Sequence, residues 1–292
     1  MKAERDLGDY WTSPKVVLKC VGPKLVPFFK TAAVYFVLSI QRENPSWLSC
    51  LLKCLPVIWL CIFVVLHGMS LGEKHAYSRR ILSGLIFSCI GDAFLVWPSC
   101  FLWGMISFAI AHIIYISAFG MHPWNPVVGM VCSVLAGICY YIFYPGLYGI
   151  YTVSVPIYIF VLCLMVWRAV ARVQFFEDLW TWTRLCSCGG GILFAISDTL
   201  IGFRIFCSQT AIPHAQTLTM LTYYAAQLGI ALSVVDSTAM AVLSAANENQ
   251  NSCCGTIKQN TLQLKSLKQR LILTGGERNG IRRAAVKLHY FF

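Results

Sequence analysis

The sequence predicts an all-α, polytopic membrane protein of eight transmembrane helices, and three observations carry that prediction. Its apolar residues come in long blocks, not in the short alternating runs of a soluble core. Charged residues make up 12% of the chain against 58% hydrophobic, with a mean hydropathy of +0.66, whereas a soluble domain carries roughly 25% charged residues to cover its surface. The basic residues gather outside the blocks and mostly on one side of them.

Taken in order, the blocks long enough to cross a ~30 Å hydrocarbon layer are Leu25–Ile40, Leu48–Leu66, Ile81–Trp97, Phe101–Phe119, Val127–Tyr144, Gly149–Trp167, Leu185–Phe203 and Leu218–Val235. Short connections separate them, punctuated by Asn44-Pro45, Trp97-Pro98, His122-Pro123, Asn125-Pro126, Pro145-Gly146 and Pro213. Spans 3 and 4 share a tight turn, so they are antiparallel neighbours. Residues 1–24 are expected to be a cytosolic N-terminal segment; no apolar core precedes Leu25, which is unlike a cleaved signal peptide. Residues 25–236 form the transmembrane domain, and residues 237–292 a basic cytosolic tail. In that tail Asn247-Glu248-Asn249-Gln250-Asn251 is a polar linker. Leu264, Leu267 and Leu271 then line one face of a basic segment, suited either to an anionic leaflet or to a solvated, disordered state.

With eight spans, one side receives Lys2, Arg5, Lys15, Lys19, Lys24, Lys74, Arg79, Arg80, Arg168, Arg172, Arg184 and the tail, while the other holds only Arg42 and Arg204. The positive-inside rule therefore makes both termini cytosolic. The net charge of +11 is explained by topology and anionic head groups, and nucleic-acid binding is not expected. Of the 14 cysteines, Cys54, Cys61, Cys89, Cys132, Cys139 and Cys163 lie inside spans, where they act as small hydrophobes. Cys186-Ser187-Cys188 and Cys253-Cys254 lack a matching ligand set, so neither a metal site nor a cofactor is predicted.

Spans 3 and 7 are alike in character: Ile86-Phe87-Ser88-Cys89-Ile90-Gly91-Asp92-Ala93-Phe94-Leu95 runs beside Ile192-Leu193-Phe194-Ala195-Ile196-Ser197-Asp198-Thr199-Leu200-Ile201. Four spans apart and equally oriented, they suggest a four-plus-four parallel repeat. Each carries the acidic residue that falls well inside the spans, Asp92 and Asp198. An ionised carboxylate in hydrocarbon costs about 3 kcal/mol on insertion scales, so both must face the bundle interior. A single such aspartate is as often a packing residue as a functional one; two at equivalent places point to a site.

Depth sharpens this reading. At ~1.5 Å per residue, Asp92, Asp198, Lys53 of span 2, and Tyr223, Tyr224 and Gln227 of span 8 fall in one layer of the far half of the membrane. His112 of span 4 lies nearer the middle, with Tyr115 one turn away. Lys30 of span 1 is a further candidate for lipid contact, although a lysine there also snorkels to the interface. Tyr140, Tyr141 and Tyr144 read as an aromatic belt, and Gly189-Gly190-Gly191 as a close-packing site. There is no Gly-x-Ser-x-Gly elbow or His-Glu-x-x-His motif, which leaves general acid–base chemistry by carboxylic acids.

Several of these stretches resemble motifs of the YhhN-like lysoplasmalogenase family. They are Gly22-Pro23-Lys24-Leu25-Val26-Pro27-Phe28-Phe29-Lys30, Lys53-Cys54-Leu55-Pro56, Gly91-Asp92-Ala93-Phe94-Leu95, the stretch from Ala111 to Gly120, Ser197-Asp198 and Tyr223-Tyr224-Ala225-Ala226-Gln227. The likeness runs from about Lys15 to Asp236; the tail beyond departs from the family pattern. The resemblance implies an eight-span endoplasmic-reticulum enzyme that hydrolyses the vinyl ether bond of lysoplasmalogens to a fatty aldehyde and glycerophosphocholine or glycerophosphoethanolamine. It implies a lysophospholipid substrate, membrane lipids as partners and no cofactor. Asp92 and Asp198 become the catalytic pair, with Lys53, His112, Tyr115, Tyr223, Tyr224, Gln227 and Lys30 as substrate-binding residues and Lys53 the candidate for the lipid phosphate. Asp92 as acid and Asp198 as base is the first assignment, the reverse standing open. Two other classes compete with the hydrolase: a proton-coupled transporter, since intramembrane Asp, Lys and His also build proton relays, and a lipid-binding protein without turnover.

Overall fold

The computed structural model of the protein describes residues 14–38, 45–67, 75–173, 182–207 and 213–235. Arg42, Lys74, Asp236, the first thirteen residues and the tail, with Leu264, Leu267 and Leu271, lie outside them. The chain divides into two units, Met1–Met240 and Ala241–Phe292, and the described residues all belong to the first.

Among the described residues there are eight α-helices: α1 Pro14–Leu38, α2 Trp47–Leu66, α3 Ala76–Phe94, α4 Phe101–Phe119, α5 Pro126–Phe143, α6 Tyr151–Ala171, α7 Trp182–Phe206 and α8 Ala215–Leu232. Each predicted block lies largely within one of them. The helices also run past the apolar blocks. Lys15, Lys19, Lys24, Arg79, Arg80, Arg168 and Arg184, expected in segments flanking the spans, are helical residues. Arg168 is fully buried: its Nε donates to Gly120 O at 2.7 Å and its Nη2 to Pro123 O at 3.1 Å. A cation at the C-terminal end of α4 answers carbonyls that the helix itself leaves unpaired.

Local chemistry sets the helix ends. Ser46 caps α2 by accepting from Ser49 N at 3.1 Å. Asn125 caps α5 by accepting from Val128 N, and Pro126 follows at the first helical position, where its missing N–H costs nothing. Gly120 ends α4 with φ of 76°, a conformation open to glycine. The 3₁₀ turn Pro98–Cys100 folds α4 back onto α3, as the tight connection predicts.

Six helices, all but α3 and α8, are long and apolar enough to cross a membrane. The two exceptions are the ones loaded with polar residues, Arg79, Arg80, Ser88 and Asp92 on α3 and Thr219, Tyr223, Tyr224 and Gln227 on α8. Ser88, Asp92, Thr219, Tyr223, Tyr224 and Gln227 are buried, where interior partners replace water, whereas Arg80 is exposed and donates to Ser117 O at 2.8 Å. The outer surface carries the apolar residues a membrane needs: Val37, Trp47, Leu51, Trp103, Ile113, Val134, Val153 and Phe160 are all more than half exposed.

α8 packs against α7, α2 and α3, while α6 packs against α4, α5 and α7. The α7–α8 contact is close because glycines face it. A methyl group at Gly190 would lie 2.9 Å from Ala226 O, and one at Gly229 would lie 2.8 Å from Cys186 O. Gly190 and Gly191, the latter against Ala169 of α6, take the packing role expected of the triplet, while Gly189 has no neighbour within 4 Å of a would-be methyl.

Candidate active site

Two carboxylate clusters stand in the interior. In the first, Asp92 of α3 is 1% exposed. Its Oδ2 accepts from Tyr223 Oη of α8 at 2.5 Å, and its Oδ1 lies 3.5 Å from Lys53 Nζ of α2. Both carboxylate oxygens are thus engaged, one by a phenol and one by an ammonium. Tyr224 turns the other way: its hydroxyl donates to Lys53 O at 2.9 Å, and its ring meets Tyr35 of α1 at 5.5 Å.

In the second cluster, Asp198 of α7 takes its partners from α6 and α4. Tyr158 Oη donates to Asp198 Oδ2 at 2.5 Å, and His112 Nε2 lies 3.4 Å from that same oxygen and 3.1 Å from the phenol. His112 is fully buried, its ring edge-on to Phe194 at 4.7 Å. The other oxygen, Asp198 Oδ1, accepts no hydrogen bond among the described residues. Carboxyl, phenol and imidazole here lie within 3.4 Å of one another.

Of the two aspartates, Asp198 lines a cavity. A cavity of about 750 Å³ lies between α4, α5, α6 and α7. Apart from thiols, its only polar side chains are Tyr158, Asp198 and Thr199. Cys132, Cys139 and Cys163, expected to behave as small hydrophobes, all line it. α5, which forms its outer wall, buries a single residue, Phe143.

Aromatic rings separate the two clusters. Phe194 touches His112 on one side and Tyr223 on the other, with ring centroids at 4.7 and 5.5 Å, and Phe108 packs 5.9 Å from both Phe194 and Tyr223. A third polar link joins α4 to α8: Tyr115 Oη donates to Gln227 Oε1 at 3.2 Å, with Ser88 Oγ at 3.4 Å from the same phenol.

The polar layer expected from depth is therefore two separate constellations. Lys53 and Tyr223 meet Asp92, and His112 meets Asp198. Tyr115 and Gln227 meet each other, Tyr224 supports Lys53, and Lys30 is exposed on α1 without an ion pair to either aspartate among the described residues. Tyr158 is the residue that depth and residue type did not single out. The signal that finds it is a phenol seven residues into α6, counted from the same membrane face as Tyr223 in α8.

A sequence model of the YhhN family matches residues 48–234. Bovine lysoplasmalogenase TMEM86A is 45% identical to this chain over 227 residues, covering 77% of this chain and 94% of that protein. Human lysoplasmalogenase TMEM86A is 44% identical over the same length, and pig lysoplasmalogenase TMEM86B is 39% identical over 218 residues, covering 74% of this chain and 88% of its own. No solved structure matches the chain.

Proposed function

The chain belongs to the YhhN family, and from that premise we propose that it is a membrane-embedded lysoplasmalogenase. It hydrolyses the vinyl ether bond of a lysoplasmalogen to a fatty aldehyde and glycerophosphocholine or glycerophosphoethanolamine. The observation that carries the chemistry is Asp198, held by Tyr158 and His112 on the wall of an apolar cavity.

In its acid form Asp198 delivers a proton to the β-carbon of the vinyl ether, and the π electrons form the new C–H bond. The α-carbon and ether oxygen then share the positive charge of an oxocarbenium ion. The Asp198 carboxylate left behind stabilises that cation and takes a proton from the attacking water, as one carboxyl does in retaining glycosidases. The resulting hemiacetal passes its hydroxyl proton to the ether oxygen and splits into aldehyde and alcohol. One water is consumed and the acid form of Asp198 is restored. Tyr158 and His112 orient the carboxyl and move its proton, and the apolar wall excludes the water that would compete for it.

Asp92 is the positioning partner in this reading. Lys53 and Tyr223 engage both of its oxygens, and the cluster fixes α2, α3 and α8 behind Phe194. The fold that serves this reaction has eight spans, α3 and α8 included, in an endoplasmic-reticulum membrane with both termini cytosolic. Its division into a 1–24 cytosolic segment, a 25–236 bundle and a basic 237–292 tail follows the composition. A four-plus-four repeat is supported by the partner pattern: Asp92 draws on α2 and α8, and Asp198 on the corresponding α6 and α4.

The test is aldehyde release by purified protein from a vinyl-ether lysophospholipid, with the matching alkyl-ether lipid as control. Release from the vinyl ether alone, lost in Asp198→Asn, is the expected result. No release from well-folded protein would sink the hydrolase reading in favour of transport or lipid binding.

A further inference from the structure

The cavity behind α5 has a shape and a border that the reaction alone does not require. Its volume of about 750 Å³ lies within the ~300–1,000 Å³ typical of a site for one small ligand. Towards one end it is lined by rings, Phe143 lying 5.3 Å from Phe203 and 6.2 Å from Phe206. Towards the other it is lined by Val127 and Val128 of α5 and Val166 and Val170 of α6. Measured along α6 from Tyr158 to Val170, that arm is about 18 Å long at ~1.5 Å per residue. Half of a ~30 Å hydrocarbon layer, the depth a single lipid chain occupies, is much the same length.

The border shows how the cavity communicates. Val127, Val131 and Leu135 of α5 and Ile192 and Ile196 of α7 line the cavity and are also 63%, 54%, 58%, 41% and 44% exposed. Residues that do both mark an opening, and here it lies between α5 and α7. Its rim is wholly apolar, so it opens on acyl chains and not on water.

We propose that this cavity is the seat of one unbranched lipid chain, which enters sideways from the bilayer between α5 and α7. The chain lies along α6 with its terminal methyl at Val128 and Val166 and its first carbons beside Asp198. The site then works as a ruler for chain length and admits single-chain lipids. This rests on the lysoplasmalogenase reading for the identity of the chain, but its location is testable without turnover.

The probe is an alkyl-ether lysophosphocholine with a photoreactive diazirine at the chain terminus, reconstituted with the full-length protein. Label on peptides that contain Val128 and Val166 is expected, and label confined to α1, α2 or α8 would overturn the site. Ile196→Trp, on the rim, is expected to cut that labelling several-fold; unchanged labelling would overturn the lateral route.

The second arm uses hydrolysis. Val128→Phe and Val166→Phe shorten the arm, and are expected to lower the rate on an eighteen-carbon vinyl-ether lysolipid about tenfold relative to a ten-carbon one. An equal fall on both lengths, or no change on either, would overturn the ruler. Label at the expected peptides with no aldehyde from any chain length would leave the chain site standing and remove the hydrolase reading.

Discussion

Asp92 and Asp198 stand at matching places on α3 and α7, yet their surroundings differ in kind. Asp92 is enclosed: an ammonium and a phenol engage its two oxygens, and the side chain is 2% exposed. Around Asp198 the partners are a phenol and an imidazole crowded onto one oxygen, the side chain is 11% exposed, and a cavity lies alongside. A carboxylate beside a lysine is held as an ion pair, which suits structure. One whose partners are a phenol and an imidazole at the edge of a cavity is placed to give a proton to something that enters. Similar helices thus carry a support and a reagent, and the difference comes from the helices packed against them.

The sharpest test of that contrast is Asp198→Asn. It removes the transferable proton and leaves an isosteric amide, so turnover is expected to fall by about 10²–10⁴, the usual worth of general acid–base catalysis. The melting temperature in detergent should barely move. Turnover within a few-fold of wild type would remove Asp198 from the chemistry.

Next in size is Asp92→Asn, whose main effect should be on stability. Lys53, 13% exposed, loses its counter-charge, and breaking a buried pair costs about 3–5 kcal/mol, less here because the lysine retains some contact with solvent. The melting temperature should drop by several degrees and recover when Lys53→Met is added. If the variant melts like wild type but is inert, Asp92 is a reagent too and the contrast fails.

Tyr158→Phe deletes the donor to Asp198 while keeping the ring. A hydrogen bond to a charged group is worth about 1.5–3 kcal/mol, so a fall of roughly 10–100-fold in kcat/KM with a displaced pH profile is expected. An unaltered profile would reduce Tyr158 to a packing residue. Tyr223→Phe, the corresponding change at Asp92, should cost about 1–2 kcal/mol of stability and alter the rate only few-fold. A larger kinetic effect at Tyr223 than at Tyr158 would reverse the comparison.

The bundle was legible in the chain because crossing hydrocarbon imposes a length and a composition. Asn44-Pro45 and Asn125-Pro126, read as breaks between spans, lie at the starts of α2 and α5. The two aspartates were legible for a related reason: charge is so costly in a membrane that a carboxyl in a span draws attention unaided. Tyr158 was not, since a phenol in a span is ordinary until something is seen to bond to it. The partner sets escaped depth arguments as well. Depth orders residues along the membrane normal but says nothing of which helices stand side by side.

By itself, then, the sequence determined the helices, their order and the residues too polar to face lipid, all of which follow from solvation of one segment at a time. Only the tertiary structure decided that α8 closes on Asp92 and α4 on Asp198, that Phe194 and Phe108 part the two clusters, and that Asp198 lines a cavity. Those outcomes depend on how side chains from distant segments fill shared space, and packing is a property of the assembled set that no single helix encodes.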